Sequence, residues 1–164
     1  PDSPGALRTD TATMREARAR ALEAGADFVL AFVHWGVNYS DVNPVQRETA
    51  GRFATLGYDL VVGHGSHMQQ PLALVDGMPV LYSLGNFVFG TSGRFDEAYP
   101  GYGLLARAFF GPEGIEGISV RCLRTDNQVV RYVPRECSVD EAATVLPLLH
   151  PDLVVGDTEA LLSL

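Results

Sequence analysis

Residues 27–36, DFVLAFVHWG, and residues 59–67, DLVVGHGSH, decide the architecture. Each opens with a short apolar run and ends in a glycine-containing turn that carries histidine. A brief apolar run without polar alternation reads as a strand buried on both faces, the pattern of a parallel sheet. The strands are expected at 27–33 and 59–62. Both follow helical patterns. Thr13-Met14-Arg15-Glu16 matches a capping box, Met14, Ala17, Ala21 and Leu22 form an apolar stripe, and Gly25 suits a left-handed stop. Asn43 caps a second helix, Pro44 fits its first turn and Gly57 ends it. The helices are expected at 13–24 and 44–56, so the order is helix, strand, helix, strand. That is an α/β fold with neighbouring parallel strands.

Further along, the pattern changes. Residues 72–75 and 79–83 flank Asp76-Gly77 and read as a hairpin. Stretches 102–110, 115–123 and 128–133 read as an antiparallel meander. A last helix begins at Ser138, with Glu141 completing a capping box, and Pro147 kinks or ends it. Residues 1–12, with two Pro, a Gly and small polar residues, read as a linker, leaving 13–164 as one domain.

The composition is that of a globular chain: 46% hydrophobic and 20% charged over 164 residues. No apolar run reaches the roughly 18 residues of a membrane helix, and no secretory signal is visible. Net charge is −8, and all 12 basic residues are Arg. An acidic balance argues against nucleic acid and anionic membranes as partners. Cys122 and Cys137 are too few for a disulfide framework and lack zinc-ligand spacing. A bridge between them is possible, but two free thiols are the expectation.

Three of the four histidines follow the buried strands: His34, then His64 and His67. Ligands of open α/β sheets bind beyond the carboxyl ends of the strands, so these imidazoles are expected to converge there. Imidazole nitrogen suits zinc, iron and similar ions; His34 taken alone reads more often as structural, while His64 and His67 read equally either way, and their shared strand-end placement favours ligands or catalytic groups. His150, before Pro151, reads as a helix-end residue. In Tyr82-Ser83-Leu84-Gly85-Asn86-Phe87, Asn86 could bond substrate, orient a histidine or simply make an Asx-turn. Ser66 and Ser83 lie near histidines, but no Gly-x-Ser-x-Gly elbow supports a serine nucleophile.

Together, His34-Trp35-Gly36, Gly63-His64-Gly65-Ser66-His67, Gln69-Gln70-Pro71 and the Ser-Leu-Gly-Asn-Phe element at 83–87 resemble the CapA, or poly-γ-glutamate capsule biosynthesis, family. The resemblance covers about residues 12–110. It implies half of a calcineurin-like metallophosphoesterase β-sandwich, with the parallel αβαβ unit followed by the meander. It further implies a divalent metal (Mn, Fe or Zn) held by His34, His64 and His67, with His34, His64 and Asn86 catalytic. The chain departs from the commoner family form at Gly65 and Ser66, where His and Pro often stand. The family's first half supplies aspartates and Asn-containing segments that do not occur here. The resemblance therefore implies the C-terminal half of a metal-dependent hydrolase of phosphoester-like or amide-like bonds. The alternative is a non-enzymatic accessory protein for anionic polymer synthesis or export. The implied partners are the N-terminal half or a second copy, and an anionic polymer or small phosphoester. The implied location is extracytoplasmic.

Overall fold

The computed structural model describes residues 7–90, Phe95 and 101–164. Helix α1 (Thr11–Glu23) leads to strand β1 (Leu30–His34), helix α2 (Pro44–Thr55) and strand β2 (Leu60–His64). A hairpin follows, β3 (Gln69–Val75) and β4 (Met78–Leu84). Its Asp76-Gly77 turn has φ of 50° and 84°, both positive as a type I′ hairpin turn requires. These strands form one sheet in the order β1-β2-β4-β3, with β1, β2 and β4 parallel.

The second sheet is built from β5 (Tyr102–Gly111), β6 (Gly114–Arg124), β8 (Val154–Val155) and β9 (Glu159–Ser163), with β7 (Arg135–Glu136) also on β6. Between them lie the short α3 (Asn127–Val130) and α4 (Val139–Val145), the latter running into a 3-10 turn at Leu146–Leu148. The protein is thus mixed α/β with two sheets. One core packs α1 and α2 on the first sheet through Met14, Phe53, Val61, Val80 and Tyr82. The other lies between the sheets, where Leu60, Leu72 and Leu81 meet Leu104, Ile118 and Val120. Each such buried side chain contributes on the order of 1.5–3 kcal/mol.

Several expectations need correction. Helix α1 starts two residues early because Asp10 caps it: its carboxylate accepts from the Thr13 N–H at 3.0 Å and the Thr13 hydroxyl at 2.9 Å. Asp is the better cap than Thr, so Thr13 is not the N-cap and Glu16 pairs with Arg20 instead. Thr11 and Ala12 are therefore helical, while residues 1–6 of the expected linker lie outside the described residues. Strand β1 is not buried on both faces: Ala31 and Val33 are buried, but Leu30 and Phe32 are 46% and 72% exposed.

The expected strand at 128–133 is a helical turn. Asp126 accepts from Gln128 N–H at 2.9 Å, and Arg131 and Tyr132 then take left-handed φ of 49° and 66°. A local cap overrides the β propensity of the valines. Cys122 and Cys137 are not free thiols; they form a disulfide. The β6–β7 pairing carries Cys137 N–H onto Cys122 C=O at 3.0 Å and sets the Cα atoms 5.4 Å apart, inside the disulfide range. The N-cap at Asn43, the capping box at Ser138 and the hairpin stand as expected, and Gln46 completes a further capping box with Asn43.

Candidate functional site

Strands β1 and β2 run parallel and in register, and His34 lies opposite His64 as the last pair. Both side chains leave the sheet at one level, and their Nδ1 atoms stand 3.2 Å apart. The rings meet edge to face at 5.0 Å, and Phe32 packs on His64 at 4.8 Å. Burial, then the nearby His34, pushes the His64 pKa down, so that ring keeps a lone pair for a ligand.

The glycines here are steric requirements. A Cβ at Gly63 would lie 2.2 Å from Tyr82 O and 2.4 Å from Trp35 Nε1, which itself donates to Tyr82 O at 2.7 Å. Gly65 has φ of 118°, and a Cβ there would lie 2.6 Å from Trp35 O and 3.1 Å from the His34 ring. A histidine at 65 has no room in this backbone, and His64 is the residue that faces His34.

His67 is held separately. Its Nδ1 lies 2.9 Å from Asn86 Oδ1, its ring stacks on Tyr39 at 5.7 Å and it touches Phe89 at 4.6 Å. His67 and Tyr39 both have left-handed φ, 63° and 54°, a conformation that costs non-glycine residues on the order of 1–3 kcal/mol each and clusters at functional sites. His34, His64, His67 and Asn86 all line one open cavity of about 460 Å³, together with Phe32 and Phe89. The four residues singled out in the sequence therefore share one cavity.

The other candidates have structural duties. Ser66 donates to Met68 O and Ser83 accepts from Gly85 N–H. His150 Nδ1 accepts from Asp152 N–H. Tyr39, Phe32 and Phe89 escaped the sequence reading. An aromatic in a loop or on a strand looks the same whether it packs on a site histidine or fills a core.

The donor set can be tested against an ion. Two nitrogens bound at 2.0–2.1 Å to one tetrahedral ion stand about 3.3 Å apart, and the His34 and His64 Nδ1 atoms already sit at 3.2 Å. These two residues fit a divalent ion as a pair. Among the described residues no three His, Cys, Asp or Glu side chains cluster closely enough to complete its shell.

Comparison with known proteins gives consistent matches. The bacterial capsule synthesis protein PGA_cap family matches residues 1–91. The PGA biosynthesis protein CapA of Bacillus subtilis (strain 168) is 43% identical over 65 residues, 39% of this chain and 17% of that protein. The capsule biosynthesis protein CapA of Bacillus anthracis is 32% identical over 92 residues, 54% of this chain and 22% of that one. A probable polyglutamine synthesis accessory protein of Mycobacterium tuberculosis (strain CDC 1551 / Oshkosh) is 32% identical over 80 residues, 48% and 21% respectively. The chain thus spans about a fifth of the length of the relatives it matches.

Proposed function

The chain belongs to the bacterial capsule synthesis protein family, and from that premise we propose that it forms part of a metal-dependent hydrolase acting on phosphoester-like or amide-like bonds in polyglutamate capsule metabolism. The observation that carries this is the His34–His64 pair, with Nδ1 atoms at ion-sharing distance on the wall of a cavity. His34 and His64 would hold the ion, which when bound supplies Lewis acidity and a water of lowered pKa. His67 and Asn86 border the same space and would contact the bond undergoing hydrolysis. No Arg, Asp or Glu is among the described residues lining the cavity, so an anionic substrate would rely on the ion for its counter-charge.

The reading includes half of a metallophosphoesterase-like sandwich, completed by further polypeptide that brings carboxylates to the histidines. The buried Cys122–Cys137 bridge supports an extracytoplasmic location, since such bridges persist in oxidising compartments. A non-enzymatic accessory role is the second reading, favoured by the name of the mycobacterial relative. Calorimetric titration with Mn or Zn ions separates the two. One bound ion, lost in His34→Ala and His64→Ala, together with weak hydrolysis of an aryl phosphodiester, is the expected result. A wild-type chain that binds no ion yet holds polyglutamate would replace the hydrolase with the accessory protein. Robust turnover by the chain alone, dependent on His67, would show that no completing segment is needed.

A further inference from the structure

His67 is restrained on three sides, by Asn86, Tyr39 and Phe89. Asn86 is 9% exposed, and its amide oxygen stands 2.9 Å from His67 Nδ1. An amide oxygen can only accept, so the proton of that bond belongs to Nδ1 and the nitrogen left bare is Nε2. Tyr39 stacks on the ring with an interplanar angle of 25°, and Phe89 meets it at 54°. Tyr39 is not there by side-chain packing alone. Its N–H donates to Ser66 O at 2.8 Å, pinning the loop after β1 to the residue before His67.

That loop is itself braced from below. Gln46 Nε2 donates to Gln70 Oε1 and Gln70 Nε2 to Ser40 O, both at 2.8 Å, and both glutamine side chains are buried. Two left-handed residues, a stacked ring pair and a buried amide network thus converge on one imidazole. The His34–His64 pair, by contrast, faces itself through Nδ1. The site therefore presents two kinds of imidazole nitrogen.

Building on the reading of this cavity as an active site, we infer that Tyr39 and Asn86 are positioning residues for His67. Asn86 fixes the Nδ1–H tautomer and Tyr39 fixes the ring plane, so that Nε2 is the lone pair offered to a ligand. Asn86 serves this role while its Nδ2, buried and without a partner among the described residues, remains a donor for an acceptor oxygen of that ligand.

Nitrogen-15 NMR of the full chain with labelled histidines, metal-free and above the ordinary imidazole pKa of about 6.5, tests the inference. The expected spectrum shows His67 protonated at Nδ1 and bare at Nε2. Asn86→Ala should revert toward the Nε2–H tautomer that free histidine favours. Tyr39→Ala should lose the His67–Phe89 ring cross-peaks, and Tyr39→Phe should keep them. A purely structural role would lower the melting temperature of these variants without moving the tautomer. A wild-type Nε2–H tautomer overturns the inference without need of any variant, as does an Asn86→Ala chain that stays Nδ1–H. Zinc added last reports separately on the parent reading. Unmoved His34 and His64 signals would sink the metal site while leaving the His67 result intact.

Discussion

At Gly63 a single hydrogen atom decides whether the site can be assembled. The position lies at the end of β2 beneath the Trp35 indole, and the atoms a Cβ would strike are Tyr82 O and Trp35 Nε1, one of them backbone and the other in a hydrogen bond. Neither can give way cheaply. Gly63→Ala should destabilise by about 1–3 kcal/mol, the range for overpacking, and should separate His34 from His64. Gly51, inside α2, has nothing within 4 Å of a built Cβ. Gly51→Ala should therefore stabilise by about 0.5–1 kcal/mol through helix propensity. Urea unfolding of the two variants makes the comparison, and equal effects would show that the contacts at Gly63 do not govern. The histidines themselves were legible because a strand end fixes where its side chain goes once the strand is recognised. Their division into a pair and a caged third was not, because it depends on the loop conformation at Tyr39 and on the φ of Gly65 and His67.

Among the elements, the segment from Cys122 to Cys137 shows why the second sheet was harder to read than the first. Helices α1 and α2, β2 and the hairpin announce themselves by caps, glycine stops and apolar runs that local physics enforces. The turn at 127–132 follows instead from one aspartate cap and a bridge whose two ends meet only after β6 and β7 pair. Strands β8 and β9 are equally non-local and had no local signal. Thr125 and Asp126 N–H groups both donate to Gly101 O, and Asn127 Nδ2 donates to Phe89 O at 2.7 Å. The bridged loop therefore holds the segment that carries Phe89 against His67. Cys137→Ser should cost about 2–4 kcal/mol for a loop of 15 residues. Hydrogen exchange should quicken at 125–127 ahead of β2, and uniform quickening would mean that the bridge stabilises only globally.

Glu141, at the start of α4, gives this region a pH signature. Hydrogen bonds from Arg135 at 2.7 and 2.8 Å hold its carboxyl at about 2, helped by the Ser138 N–H and opposed by burial. A carboxyl depressed in the folded state contributes stability above its unfolded pKa of about 4.3, and that contribution is lost as pH falls toward 2. Arg135 is 47% exposed, so solvent screens the pair and the effect is modest. Melting temperature should fall between pH 4.5 and 2, less steeply in Glu141→Gln, and parallel curves for the two chains would assign the acid limb to other carboxylates.

On the scale of the whole molecule, the open feature is one side of the sandwich. Among the described residues β1 pairs only with β2, and β5 pairs with β6 apart from a single bridge from its Gly103 to Gly85, so each sheet leaves most of an edge unpaired. The two edges lie together, since Phe28 beside β1 meets Phe110 of β5 at 4.8 Å and Phe32 and Leu105 line the same cavity. Exposed along them are Phe32 at 72%, Leu105 at 53%, Leu30 at 46% and Phe109 at 41%. An apolar edge of this kind is a template for further strands. The isolated 164-residue chain should therefore self-associate through this side, and the net charge of −8 should oppose it. Light scattering should show dimers or larger species that strengthen from low to moderate salt, as like-charge repulsion is screened. Phe32→Glu and Leu105→Glu should each return the chain to a monomer while leaving its circular dichroism unchanged. A wild-type chain that stays monomeric at high concentration and binds no hydrophobic dye would mean that the exposed apolar side is tolerated as it stands, and the case for a polypeptide completing both sheets would fall with it.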